Sequence, residues 1–427
     1  MLPMYHAIGD IMENDNLIDK PGHKRNFILF AIAIFSTFAI FGVADIIRGT
    51  AIPRIQVDFQ LSALHIGALL ASNSMGYLTA SAITAEIARK IGIKACHIIG
   101  LILIAFSGVL IFFSPTFLIL VFSFFVLNFG FGMVEIAVGV IAAKIFTKNT
   151  GTMMNLAHFF FGAGATFSPI VSTSIMAVRF GEQLFTWRHV YLIVLFFALV
   201  PAIPVLIGQL GKQDSTKKKL KYGIILRNPV MWFVVMILTF GVISEAGIAS
   251  WFVIFLETSH EFPSDRAALS LTLFFVCFTV SRLLLGPLID RIGFIKSLIF
   301  ATAFSGVMIT LGVLLGRSGS YLIILAGIGV APIFPTVMAV IAKLFSDQIE
   351  LAMTAIITIM GIIIVPMNLL VGGIINQARV LFSTNYGDAG IGMAYSAGIL
   401  FFGLTSFIAF VFALILRARQ KKSGKVV

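Results

Sequence analysis

The chain has 427 residues, of which 59% are hydrophobic and only 11% charged, with a net charge of +12. A soluble domain carries about 25% charged residues, so this composition excludes a water-soluble fold, whose core would have almost nothing polar to cover it. The basic excess is spread among loops and not gathered on one domain, which excludes a nucleic-acid-binding role.

The first 25 residues are polar and contain no apolar core, so no cleavable signal peptide is expected and residues 1–25 read as a cytoplasmic tail. Apolar runs bounded by charges and turn residues then predict twelve membrane spans, at 26–49, 62–87, 95–113, 117–146, 152–178, 190–209, 229–257, 267–289, 297–315, 321–345, 351–376 and 390–416. Spans one to six make an N-terminal half, 26–209. Residues 210–228 hold Lys212, Lys217, Lys218, Lys219, Lys221 and Arg227, too many charges to bury, and form a cytoplasmic linker. Residues 229–416 make a C-terminal half, and 417–427 a cytoplasmic tail. Cys96 and Cys277 fall in spans of different halves and match no metal or disulfide spacing, so both read as small apolar core residues. The expected fold class is an all-α integral membrane protein of twelve transmembrane helices in two pseudo-symmetric six-helix halves.

The halves repeat each other. After span two the chain reads Ala85–Glu86–Ile87–Ala88–Arg89–Lys90–Ile91–Gly92–Ile93–Lys94, and after span eight Gly286–Pro287–Leu288–Ile289–Asp290–Arg291–Ile292–Gly293–Phe294–Ile295–Lys296. Gly42–Val43 recurs as Gly241–Val242, Ala143–Lys144 as Ala342–Lys343, Gly130 and Gly132 as Gly327 and Gly329, and Pro169 as Pro366, all at an offset of 197 or 199. Halves of this kind rock about a site at their interface near mid-membrane. With the N-terminus inside, 22 basic residues fall on inner segments and 7 on outer ones, which places both termini in the cytoplasm of a multi-pass cell-membrane protein.

A charge at mid-membrane costs about 2.5–3.5 kcal/mol even on the lenient insertion scale, so each one asks for a reason. Glu135, near the middle of span four behind Gly130 and Gly132, has no base within a turn or two. A carboxyl group there can load and release a proton near neutral pH, and it is the first candidate for proton coupling. Glu245 in span seven and Asp45 in span one are the competing acids. Asp45 has Arg48 one turn on, which reads as an i,i+3 ion pair; Arg48 otherwise suits an anionic substrate. Trp251 reads equally as a ring on which a polar ligand stacks and as part of the interfacial aromatic belt. Asn73, Asn128, Asn155, His158, Asn368 and Asn376 are candidates to face a polar cavity, His158 also reading as a hydrogen-bonded structural residue. Glu86, Arg89, Lys90, Asp290 and Arg291 are assigned to an inner gate, together with Arg282, which otherwise reads as a substrate ligand. Gly162, Gly164 and Ala165 allow span five to pack closely, and Pro169 is expected to bend it. There is no P-loop, no metal-spacing cluster and no nucleophile constellation, so no enzyme activity, cofactor or metal is expected, and transport draws on a gradient.

Twelve spans with basic loops after spans two and eight resemble the major facilitator superfamily, whose loop motif is matched by Gly286 to Lys296. The first copy departs from it, with Ala85 for the first glycine and Arg89 for the acid. Within that superfamily, Gly132–Met133–Val134–Glu135, Gly162–Ala163–Gly164–Ala165 with Pro169, Glu245 with Gly247 and Trp251–Phe252, and Ile333–Phe334–Pro335–Thr336 resemble motifs of the fucose–galactose–glucose:proton symporter family. The resemblance implies a monomeric, proton-coupled importer of a small polar solute such as a hexose, in contact with membrane lipid and with Glu135 as the proton site. An exporter of drugs or metabolites, or a carrier of a small organic anion, is the alternative.

Overall fold

The computed structural model describes residues 23–146, 150–209, 227–344, 349–387 and 389–423. Most of the expected linker, 210–228, and the first 22 residues lie outside them. The twelve spans are present as helices. Span one is His23–Asp58, span two Ala63–Ile91, span three Ile93–Phe112, span four Phe117–Ile145 and span five Thr150–Met176. Span six is made of Trp187–Phe196 and Ala202–Ile207 around a short turn of 3-10 helix. Span seven is Pro229–His260, span eight Ser264–Ile292, span nine Phe294–Leu314, span ten Ser320–Val330 with Ile333–Leu344, span eleven Ile349–Tyr386 and span twelve Ala389–Ser423. Eleven of the spans are long and apolar enough to cross a membrane by length and composition, span two falling short of that measure. A two-stranded antiparallel hairpin, Arg179–Phe180 with Gln183–Leu184, precedes span six.

Local chemistry sets the boundaries. Ser62 accepts from the backbone N–H of His65, and Asn228 accepts from that of Val230 ahead of Pro229, so two spans start on side-chain caps. The two basic loops share one turn. Gly92 and Gly293 connect their helices at φ +89° and +93°, a region closed to residues with a Cβ. That is why the first copy keeps its second glycine although it lost the first.

Span one runs nine residues past its expected end at residue 49, through Pro53 to Asp58. Its charges suggested a loop, but each has a partner that lets the helix continue. Arg54 pairs with Glu257 of span seven at 2.9 Å, and Asp58 accepts from Trp187 Nε1 at 2.6 Å. Span eleven likewise continues ten residues beyond its expected end at 376. Spans five and eleven run as continuous helices through Pro169 and Pro366.

Each half packs mainly within itself, and three pairs do most to join the halves: span two with eleven, five with eight, and one with seven. Small residues permit the approach. A Cβ on Gly67 would lie 2.6 Å from the Asn368 carbonyl oxygen, and one on Gly372 2.6 Å from that of Ala63. Gly164 and Gly42 pack in the same way between spans one and five. Hydrogen bonds reinforce the seam. Gln56 donates to the Tyr395 hydroxyl at 2.9 Å, and the Asn368 amide donates to Ser74 Oγ at 2.9 Å and to the Leu70 carbonyl at 3.2 Å. With Arg54–Glu257, these contacts hold the halves together at the middle and at the end opposite the basic loops.

Candidate functional site

Polar side chains from both halves converge at mid-bundle. Gly132 in span four seats against the Tyr77 backbone of span two, where a Cβ would come 2.7 Å from the Tyr77 carbonyl oxygen. Close contact at that point sets the two helices so that the Tyr77 side chain stands beside the Glu135 carboxylate as its polar neighbour, with Asp45 the nearest like charge. Asp45 and Arg48 form the expected ion pair, at 2.6 Å and 3.1 Å from Nη1 and Nη2, so most of the arginine's charge is matched on its own helix. The remaining Nε of Arg48 is buried without a partner.

The second half contributes Glu245 from span seven and Arg282 from span eight. No ion-pair contact joins the two among the described residues. Arg282 sits roughly three turns short of its helix end at Ile292. It belongs to this central cluster and not to the basic loops, where the inner gate was expected. His158 reaches in from span five, its ring between Phe38 of the first half and Phe334 of the second, 5.1 Å and 6.2 Å between centroids, and it senses the Arg282 charge.

The break in span ten explains how Arg282 is held. Pro332 and Pro335 have no N–H, so the carbonyls four residues earlier, those of Ile328 and Ala331, lose their helical partners. Span eight supplies both. Ser281 Oγ donates to the Ile328 carbonyl at 2.8 Å, and Arg282 Nε donates to the Ala331 carbonyl at 3.1 Å. The guanidinium also lies over the Phe278 ring, 4.1 Å from its centroid. Broken helices with unwound carbonyls are a recurrent feature of transport sites at mid-membrane.

Other expected site residues have different surroundings. Trp251 is 1% exposed and its ring faces Tyr395 at 6.4 Å, which rules out a place in the interfacial belt. Asn128 donates to its own helix at the Phe124 carbonyl, and Asn368 spends its amide on span two as part of the seam. Among the gate residues, Glu86, Lys90 and Arg291 are exposed at the basic-loop end. The side chains of Arg89, Asn155 and Asp290 lie outside the described residues. The sequence reading missed Tyr77 and Lys94. Lys94, read only as a loop charge, donates to the Leu206 and Gly208 carbonyls at 3.0 Å and 2.7 Å and so closes the end of span six. No group of acids, histidines and cysteines able to hold a metal occurs among the described residues.

The profile of the Major Facilitator Superfamily matches residues 27–271 and 256–426. No curated protein matches the sequence significantly. Among solved structures, the chain is similar to a point mutant of the Escherichia coli fucose:proton symporter FucP, with 18% identity, TM-score 0.64, and 92% of this chain and 99% of that one covered. It is also similar to a bacterial homologue of the human lysosomal transporter Spinster in an inward-facing, occupied conformation, with 12% identity, TM-score 0.72, and 92% and 97% covered. The nucleoside transporter NupG aligns with 14% identity, TM-score 0.68, and 92% and 98% covered. At these identities the likeness concerns the fold.

Proposed function

Since the chain belongs to the major facilitator superfamily, we propose that it is a secondary active transporter importing a small polar solute such as a hexose together with protons. The basic loops face the cytoplasm in this reading, in keeping with their excess of lysine and arginine. The observation that carries the proposal is Glu135, an acid at mid-membrane beside Tyr77, in a cluster to which both halves contribute. Asp45 and Arg48 neutralise each other, and Arg282 is the cation of the second half's share of the cluster, so among the described residues Glu135 is the acid with no cation paired to it. Protonation makes it neutral, and the loaded carrier then reorients without dragging an uncompensated carboxylate through the apolar seam. A carrier that holds the solute without its proton meets that penalty, which is the basis of coupling. The likeness in fold to a fucose:proton symporter is in keeping with this choice.

Glu135→Gln mimics the protonated acid. In proteoliposomes it should abolish proton-driven accumulation and leave solute exchange at least partly intact. Proton-dependent accumulation surviving in that variant would refute the assignment, and Glu245 or Asp45 would take its place.

A further inference from the structure

At the basic-loop end of the C-terminal half, exposed cations gather without acids among the described side chains. Span twelve has its last buried residue at Leu416, which lies in one core cluster with Met231 of span seven and Ile295 of span nine. The helix nevertheless continues to Ser423 and exposes Arg417, Arg419 and Lys421. Arg417 and Lys421 are four residues apart on one face, where like charges repel and weaken a helix. Arg227 ahead of span seven and Lys296 in the first turn of span nine are exposed at the same end. None of the five makes an ion pair or a hydrogen bond among the described residues. The described acid side chains of this half, Glu245, Glu257, Glu261 and Asp265, lie at mid-bundle or at the opposite end.

One of these cations is held in place. The Arg419 guanidinium lies over the Phe233 ring of span seven, 4.8 Å from its centroid, and that ring packs against Phe412 of span twelve at 6.1 Å. Stacking fixes the plane of the guanidinium and leaves its five N–H donors along the free edge, a fork that matches two oxygens of a phosphate. Phe233 follows Pro229, the first residue of span seven, by about 6 Å along the axis. Arg419 therefore stands beside the opening turns of that helix, whose positive dipole end and Arg227 add to the field. Trp232, exposed next to Phe233, sets this level at the membrane interface. Val411, Leu414 and Ile415 of span twelve, exposed just before Arg417, give a lipid-facing apolar wall. The first half has no equivalent. Span six, the counterpart of span twelve, ends at Ile207, and Lys94 is spent on its last carbonyls.

We infer that the junction of spans seven and twelve is a headgroup site for an anionic phospholipid, whose phosphate accepts from the Arg419 fork and from Arg227 while its acyl chains lie along the apolar wall of span twelve. Arg417, Lys421 and Lys296 select the headgroup. A zwitterionic lipid also brings a phosphate, but its ammonium group would meet a field of like charge, whereas a headgroup with net negative charge meets none. The bound lipid ties the start of span seven to the end of span twelve. That its leaflet is the cytoplasmic one rests on the orientation proposed above; the site itself does not, nor does it depend on which solute is carried.

The test uses purified full-length protein in nanodiscs of phosphatidylcholine alone or mixed with phosphatidylglycerol. Native mass spectrometry counts the lipids retained per folded protein, and thermal unfolding reports their effect on stability. The wild type should retain phosphatidylglycerol in preference to phosphatidylcholine and unfold at a higher temperature in the mixed discs. Arg419→Gln and Arg227→Gln should each lower that retention about fivefold. Arg419→Lys keeps the charge but loses the planar fork, and should also retain less. Arg25→Gln removes an exposed cation of the N-terminal half at the same end and should change nothing. Wild-type retention in Arg419→Lys, or an equal loss in Arg25→Gln, would reduce the site to diffuse surface attraction and overturn the proposal. So would a wild type that shows no preference for phosphatidylglycerol. Inorganic phosphate or glycerophosphoglycerol raising the unfolding temperature in phosphatidylcholine discs as far as phosphatidylglycerol does would assign the site to a soluble anion, which also overturns it. Nanodiscs expose both leaflets and no solute is moved, so the outcome is independent of the orientation and of the proton site.

Discussion

At the scale of single residues, chemistry here depends on what is missing as much as on what is present. Gly132 has no side chain, and that lets the Tyr77 backbone close on span four and brings its ring to Glu135. Gly132→Val inserts two methyl groups and a Cβ where the Tyr77 carbonyl and the Ala80 Cβ already sit. Overpacking of this kind costs about 1–3 kcal/mol. Thermal unfolding in detergent should show that loss, and proton-driven uptake should fall beyond what the loss of folded protein explains, because the helix shift parts Tyr77 from Glu135. Unchanged stability and uptake would mean that the two helices are free to separate here.

At the scale of elements, span ten is a helix broken by two prolines and repaired by its neighbour. The repair is specific: one orphan carbonyl to Ser281, the other to Arg282. Ser281→Ala should leave the Ile328 carbonyl buried and unpaired, at about 1–3 kcal/mol. Pro332→Ala restores the backbone N–H that this carbonyl lacks. The double variant Ser281→Ala/Pro332→Ala should therefore be more stable than Ser281→Ala alone, and a double-mutant cycle of unfolding midpoints measures the coupling. Additive losses would show that the hydroxyl and the missing N–H are unrelated. Span four, the counterpart of span ten, carries no such break from Phe117 to Ile145, so the two halves share a pattern but not a site.

For the whole molecule, the governing feature is the seam between halves. It is tied at one end by Arg54–Glu257 and Gln56–Tyr395 and at mid-depth by Asn368–Ser74. Alternating access requires the tied end to open. The Arg54 and Glu257 side chains are 24% and 19% exposed, so water screens the pair in part. A contribution of about 1 kcal/mol moves a two-state population about fivefold. Arg54→Gln should raise the labelling rate of a cysteine placed at Ser250 by about that factor, from the extracellular face of intact cells. Faster labelling only from the cytoplasmic face would invert the proposed orientation, and an unchanged rate would show that the pair does not bias opening.

Much of this architecture was legible along the chain. Long apolar runs, the repeated basic loops and the excess of basic residues between particular spans identified a twelve-span membrane protein of two related halves. They did so because lipid and water act on local windows of sequence, and hydropathy, charge and turn-forming glycine are properties of such windows. The Asp45–Arg48 pair was legible for the same reason, since i,i+3 neighbours meet on any helix. What the chain did not disclose is how each helix is rotated about its axis. Helices that are apolar nearly all round carry no amphipathic stripe to orient them, and small-residue packing and polar partners decide instead. Only the assembled bundle therefore showed that Tyr77 stands at Glu135, that Asn368 is spent on span two, that Trp251 is core, and that Arg282 is held by span ten and not at the basic loops. The end of span one was misjudged for a related reason. A charge reads as a loop until its partner on another helix is in place, and Arg54 finds its own on span seven, about two hundred residues away.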